Sequence, residues 1–523
     1  VVVQWYATFE CLHKEQTEVA DAELTIGQKP IGHISPRLYG HFAEHLGRCC
    51  YGGLWEGVDG DPAVPNVSGF RADVIEALLD LPVPVLRWPG GCYADHYHWR
   101  NGIGAPQARP STLGMSCGLR VSDDNGLGTH EFLRLCELIG AEPYLAGNVG
   151  TGSVQEFCDW VEYVTSSVDS GLTKERAANG RPDPWPVRLW GVGNESWDCG
   201  GRFDPVTYAH EFVRYATLAR HVDPEAEFVG VGLEDEGLFE QGLDRDWNAK
   251  FLEALGPSID LLSHLSIHRY WSHGGPETGF REDDYYALLA EAQETETTIE
   301  RTARTIAAIA PTSHAIRVAL DEWGVWHPEA RPWGPGDVPR RTPVTYEQAN
   351  TLRDALAAGI ALEGFHRQCN VLSMANLAQI VNVLQAVVMT DGSSCFKTPT
   401  YHVLTMHRPH MGAEALGVAV ASAMKLPSGE AAVSATASLA GGRTAVTIIN
   451  RDYRRRASVS LEARAGAVAK ARLLAADSAD AVNTAAHPDR VAPRMVEVAM
   501  RPNGRYEVDL PAHSLATIEF AEG

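Results

Sequence analysis

Between about residue 80 and residue 405 the chain alternates short apolar runs with amphipathic stretches, and this rhythm restricts the fold more than any other feature. The runs are VPVLRWPGG (83–91), AEPYLAGNVG (141–150), VRLWGVGNE (187–195), EFVGVGLED (227–235), LLSHLSIHRY (261–270), IRVALDEWG (316–324) and VLSMANLAQ (371–379). Between them lie helical patterns such as THEFLRLCELIG (129–140). Apolar strands buried on both faces and separated by helices imply a parallel sheet built of βα units. IGHISPRLYGHFAEH supplies a further strand near residue 40, which brings the count to eight. Eight units, with no Gly-rich dinucleotide loop after the first strand, favour a (β/α)8 TIM barrel over an open α/β sheet.

Nearly every run ends in a polar or Gly-rich cluster: RWPGG, GNVG, GNES, HRYW, DEWG, NLAQ. In a barrel those ends meet at one rim, where active sites are built. After about residue 410 the pattern becomes short alternating segments divided by Gly, Pro and Asp, the mark of an antiparallel β-sandwich. The expected organisation is a barrel over 30–408 and a C-terminal sandwich over 409–523, which a strand at 20–29 joins.

The chain has 523 residues and a net charge of −23, which argues against nucleic acid or an anionic membrane as partner, since both need a positive surface. No apolar run is long enough for a membrane-spanning helix. The first residues, VVVQWYATFECLHKEQTEVAD, show no basic leader or cleavage site. The ten cysteines contain no CxxC pair, and Cys136 and Cys158 sit in apolar helical patterns as buried thiols would. Reduced cysteines and the missing leader point to the cytoplasm.

Cleavage of a glycosidic bond needs one carboxyl group to protonate the leaving oxygen and another to meet the cationic sugar carbon. Glu195 in WGVGNESW and Glu322 in VALDEWGVW both lie where a strand gives way to a loop, on the fourth and seventh strands. A single Glu at a strand end is more often a solvated or capping carboxylate. Two of them, each flanked by Trp and a polar neighbour, on strands that face each other across a narrow mouth, point to a catalytic pair. A retaining pair would stand about 5–5.5 Å apart, and proximity should split their pKa values.

Here the sequence resembles glycoside hydrolase family 51, the α-L-arabinofuranosidases, over nearly its whole length from about residue 22. The resemblance rests on IGHISPRLYGHFAEHLGRCCYGGLWEG (31–57), LRWPGGCYADHYHWRNGIG (86–104), GVGNESW (191–197), LSIHRYW (265–271), LDEWGVW (320–326) and MANLAQIVNVLQA (374–386). It implies Glu195 as acid/base, Glu322 as nucleophile, and Glu44, Asn194, Tyr270 and Gln379 in the sugar subsite. It implies a retaining, exo-acting enzyme that releases terminal arabinofuranose from arabinoxylan or arabinan oligosaccharides and polysaccharides, without a cofactor, and a homo-oligomer of hexameric type. The alternatives are an endoglucanase or xylosidase on the same machinery, or a non-catalytic carbohydrate-binding protein.

One departure from the family pattern stands out: Cys92 follows PGG where many members have Asn. A thiol donates and accepts only weakly, so Cys92 would alter ring recognition or leave it to a neighbour such as Asp95. Cys199 lies four residues past Glu195 and can approach the same mouth, which leaves a disulfide between loops open. His41/His45 and His264/His268 have the i,i+4 spacing of a zinc pair, but His264 and His268 fall in a strand and no HExxH is present, so no metal is expected. His268 is read as an orienting partner for the nucleophile or substrate. Trp88, Trp99, Trp271, Trp323 and Trp326 cluster at rim motifs; Trp323 is taken as a sugar-stacking face, and about half of the set as core.

Overall fold

The computed structural model describes residues 20–333, 340–462, 468–501 and 504–521. Eight parallel strands close into a barrel: strand one Gly40–Phe42, two Val85–Trp88, three Glu142–Gly147, four Leu189–Val192, five Glu227–Val231, six Leu262–Trp271, seven Arg317–Val325 and eight Leu372–Ala378. Each pairs with its neighbours in chain order, and strand eight pairs with strand one. The barrel is filled, not hollow. Val85, Tyr144, Leu189, Val229, Ala319 and Met374, from six of the strands, form a separate buried cluster, the inner layer expected of such a fold.

The helices outside the barrel are set by local chemistry. Pro205–Val222 begins at Asp204, whose carboxylate accepts from the amides of Val206 and Thr207. A proline at the first helical position has no amide to lose there. Leu352–Arg367 is buried almost throughout, because one side meets the barrel and the other meets the second sheet. A methyl group at Gly359 would lie 3.0 Å from Ile449 and 3.1 Å from Leu515 of that sheet.

The second unit is a single ten-stranded sheet. The N-terminal strand Ala22–His33 lies inside it, antiparallel to Glu414–Ser422 on one side and parallel to Ala457–Glu462 on the other. Every other pairing in the sheet is antiparallel. The sheet curls onto its own apolar core, so that Tyr506 and Phe520, from strands far apart in its order, come within 5.2 Å between ring centroids. The expected sandwich is thus a curled mixed sheet. Among the described residues no helix is long and apolar enough to cross a membrane.

Candidate active site

The ends of strands two, four, six, seven and eight open into one cavity of about 950 Å³, which Glu44, Cys92, Cys117, Asn194, Glu195, Tyr270, Glu322, Trp326 and Gln379 help to line. Glu322 reaches it through an irregularity in strand seven. The pairing with strand six runs Ile267 to Leu320 and then His268 to Glu322, leaving Asp321 as an extra residue. A bulge of this kind re-aims a side chain. Here it lets two consecutive carboxylates reach the interior: Asp321 accepts from Tyr144 Oη at 2.7 Å and from Asn376 Nδ2 at 2.8 Å. Glu322 accepts from Arg87 Nη1 at 2.7 Å and Tyr270 Oη at 2.7 Å.

Glu195 stands opposite. Strand four ends at Val192, and the loop that follows turns back so tightly that a side chain at Gly200 would lie 2.2 Å from the Asn194 carbonyl. Glu195 itself has φ +39°, a left-handed conformation rare for its residue type. Its Oε1 is 2.9 Å from His268 Nδ1, which also lies 3.7 Å from Glu322 Oε2. One ligand-type atom each of Glu195, His268 and Glu322 lie within 4.8 Å of one another. The two carboxyl groups thus face each other across the mouth with His268 between them.

The two carboxyl groups are driven apart in acidity. Burial raises the Glu195 carboxyl against the opposing pull of His268. Burial would also raise Glu322, but the His268 and Arg87 charges and the Tyr270 hydroxyl outweigh it and hold Glu322 below the usual carboxylate range. His268 is itself raised: burial works against its charge, and Glu322 and then Glu195 overcome that. The surroundings therefore favour the proton on Glu195 over Glu322.

The floor is built from the remaining polar groups. Glu44 Oε1 accepts from the amides of Gly91 and Tyr93, both at 3.1 Å, and from Ser116 Oγ at 2.7 Å; its Oε2 accepts from Gln379 Nε2 at 3.2 Å. Burial and the nearby Glu322 push Glu44 up to about 7. Asn194 accepts from Arg87 Nη2 at 2.6 Å. Arg87 therefore bridges the nucleophile candidate and the amide beside the acid candidate. Sequence reasoning missed it, although a charged residue inside the apolar run VPVLRWP was the signal.

Several expectations are corrected. Trp323 does not line the cavity; it is fully buried on the outside of strand seven, 5.1 Å from Phe365 and 5.8 Å from Trp271 between centroids. The bulge turns Glu322 inward, and the next side chain points out to the helices. Trp88, Trp99 and Trp271 are likewise core, whereas Trp326 lines the cavity together with Trp197 and Trp333. Asp95 is also no ring contact: buried, it accepts from the amides of Val149, Gly150 and Asn194 and so braces two rim loops. Cys92 has no thiol to offer, because it is joined to Cys199. With that bond present, cysteine usage no longer argues for a reducing compartment. His268 orients chiefly Glu195, not the nucleophile candidate.

Among the described residues two sets of possible metal ligands are compact, Glu195–His268–Glu322 and Cys92–Glu195–Cys199. In the first, every residue is engaged in the hydrogen bonds above; in the second, the sulfurs are bonded to each other. His41 is buried within strand one, and His45 lies against Trp88 and Asp123.

The chain is similar to known proteins over most of its length. Residues 77–269 match the family model described as "Alpha-L-arabinofuranosidase 1 domain", and residues 321–514 match "Alpha-L-arabinofuranosidase C-terminal domain". An "Intracellular exo-alpha-L-arabinofuranosidase" of Bacteroides ovatus is 39% identical over 503 residues, 93% of each chain. The crystal structure of the GH51 arabinofuranosidase from Xanthomonas axonopodis pv. citri superposes with a TM-score of 0.87 at 34% identity, covering 96% of this chain and 100% of that one. An arabinose complex of the Thermotoga maritima α-L-arabinofuranosidase gives 0.80 at 26% identity, covering 96% and 99%.

Proposed function

The chain belongs to the α-L-arabinofuranosidases of glycoside hydrolase family 51 and is a glycoside hydrolase with that activity; on that premise we propose that it works by retention from the non-reducing end, with Glu195 as acid/base and Glu322 as nucleophile. The observation that carries the mechanism is the pairing of two carboxyl groups at short range with opposite shifts in acidity.

In the first step the ionised Glu322 attacks the anomeric carbon while Glu195 gives its proton to the departing glycosidic oxygen. The product is a glycosyl ester on Glu322 and a free leaving alcohol. Arg87 and Tyr270 hold Glu322 in line, and His268 holds Glu195. In the second step Glu195, now a carboxylate, takes a proton from water as that water attacks the same carbon and Glu322 leaves. Glu44, Asn194, Tyr270 and Gln379 hold the ring hydroxyls, and Trp326 supplies an apolar wall. Cys92 contributes only its bonded sulfur and backbone.

A cavity with a floor of buried polar groups suits a terminal sugar better than the middle of a chain, which supports exo action on arabinoxylan or arabinan fragments. The name of the Bacteroides relative, which includes both "exo" and "intracellular", supports the same reading and an enzyme of the cell interior. Assembly as a homo-oligomer belongs to the same proposal, and sedimentation velocity would read it. The test of the sugar is kcat/KM on aryl arabinofuranoside, xyloside and glucoside. The arabinofuranoside should lead by orders of magnitude; a pyranoside preference would overturn the reading.

A further inference from the structure

Glu195 carries its strained backbone in a loop that is tied down at both ends. Its carbonyl accepts from the amides of Asp198 at 2.7 Å and Gly200 at 3.2 Å, the residues on either side of Cys199. Cys199 is joined to Cys92, which opens the turn after strand two, with the two Cα atoms 5.5 Å apart. The acid/base thus sits in a short bracket, with strand four behind it and a covalent tie to another rim loop four residues ahead.

The two oxygens of Glu195 have different surroundings. Oε1 faces His268, whereas Oε2 lies 3.6 Å from the sulfur of Cys199 and 4.0 Å from that of Cys92. A sulfur in a disulfide carries no hydrogen and cannot donate to a carboxylate. It is large and polarisable, and it occupies space that water would otherwise fill. Both sulfur-bearing residues and Glu195 line the cavity, so Oε2 is open to a leaving group on one side and closed by sulfur on another.

We propose that the Cys92–Cys199 disulfide is a positioning element for the acid/base: it holds the Glu195 turn against the loop of strand two and keeps Oε2 free of hydrogen-bond donors, so that the proton stays on that oxygen until the leaving group takes it. The inference rests on Glu195 being the acid/base. Opening the bond takes two electrons and two protons from a dithiol, which itself closes to a disulfide. The two resulting S–H groups could donate to Oε2 and stabilise its anion. Acid catalysis would then fail at a lower pH than in the bonded enzyme, and the fault would show most with leaving groups that need a proton.

The test compares wild type, Glu195→Ala and Cys92→Ser/Cys199→Ser on methyl and 2,4-dinitrophenyl α-L-arabinofuranosides across pH. The dinitrophenolate departs without protonation; the methoxide does not. Glu195→Ala should spare the dinitrophenyl substrate selectively. The serine pair should move the alkaline limb of kcat/KM down by about 0.5 pH unit or more and lower kcat on the methyl glycoside about tenfold more than on the dinitrophenyl one. Wild type treated with dithiothreitol, with thiols counted, should show the same shift and covers the case of a serine variant that does not fold. If Glu195→Ala behaves as expected but neither thiol form moves the limb or the substrate ratio, the disulfide inference alone is overturned. If Glu195→Ala lowers both substrates equally, the acid/base reading falls and the inference with it.

Discussion

Arg87 donates from Nη1 to Glu322 Oε1 at 2.7 Å, inside a barrel where both side chains are almost wholly removed from solvent. Its other terminal nitrogen reaches Asn194 at 2.6 Å, so one planar cation fixes Glu322 and the amide next to Glu195. Arg87→Lys keeps the charge but cannot span both partners. We expect kcat to fall by about 10²-fold or more, on the scale of losing a preorganised charged hydrogen bond in a closed site. Circular dichroism should show the fold intact. Arg87→Met removes the charge as well, so the Glu322 carboxyl rises and the acidic limb of the rate profile moves to higher pH. A wild-type acidic limb in Arg87→Met would contradict the role given to this pair.

The pH–rate profile itself should be bell-shaped, with the acidic limb from ionisation of Glu322 and the alkaline limb from loss of the Glu195 proton. His268 lowers both carboxyl groups, so His268→Asn should shift both limbs upward. Glu44, pushed up to about 7, is a competing source of the alkaline limb. Glu44→Gln separates the two: KM should rise while the alkaline limb stays, whereas disappearance of that limb would assign it to Glu44.

Gly91 is placed so that a β-carbon would lie 2.7 Å from Glu322 Oε1 and 3.4 Å from Asn194 Nδ2. The first contact is closer than real β-carbons come to a neighbour, and Glu322 cannot yield without losing Arg87. Gly91→Ala should therefore cost kcat at least about tenfold through misplacement of Glu322, with little change in thermal stability. Unchanged turnover would show that Glu322 tolerates displacement.

His366, His407 and His410 form a buried cluster where the barrel meets the second sheet, with ring centroids 5.1–6.2 Å apart. Their polar partners are hydroxyls and a carbonyl: Tyr39, Thr436, Ser438, Thr447 and Val403 O. The charged groups that act on them are Arg367 and Arg472. Burial lowers all three, His407 to about 4. The unfolded chain therefore binds more protons below about pH 6.5, and stability falls as pH drops through that value toward the folded pKa. The expected loss is roughly 2 kcal/mol per histidine at pH 5, read as a falling Tm between pH 7.5 and 5. A flat Tm would mean that these rings accept charge without cost.

Much of the barrel was legible because a strand buried on both faces is a run of apolar residues whatever its neighbours are. The carboxylate pair was legible because Glu195 and Glu322 interrupt such runs at their ends. Side-chain direction there was not. It depends on a one-residue bulge at Asp321, invisible to any periodicity, and that bulge is why Trp323 packs on Phe365 outside the barrel and not on sugar. Arg87 was hidden because its partners come from strands four and seven, far along the chain. The tie between Cys92 and Cys199 needed two loops in space; that an N-terminal strand joins the second sheet was read from its alternation, but its neighbours there, Glu414–Ser422 and Ala457–Glu462, were not.

Azide rescue with identification of the product anomer tests the central assignment most directly. Glu195→Ala, given an activated aryl α-L-arabinofuranoside and azide, should regain rate and release an arabinofuranosyl azide of the same anomeric configuration as the substrate, since azide attacks the ester on Glu322. Glu322→Gly with azide should give the opposite anomer in a single displacement. Inversion from Glu195→Ala, or retention from Glu322→Gly, would exchange or remove the roles assigned to these two residues.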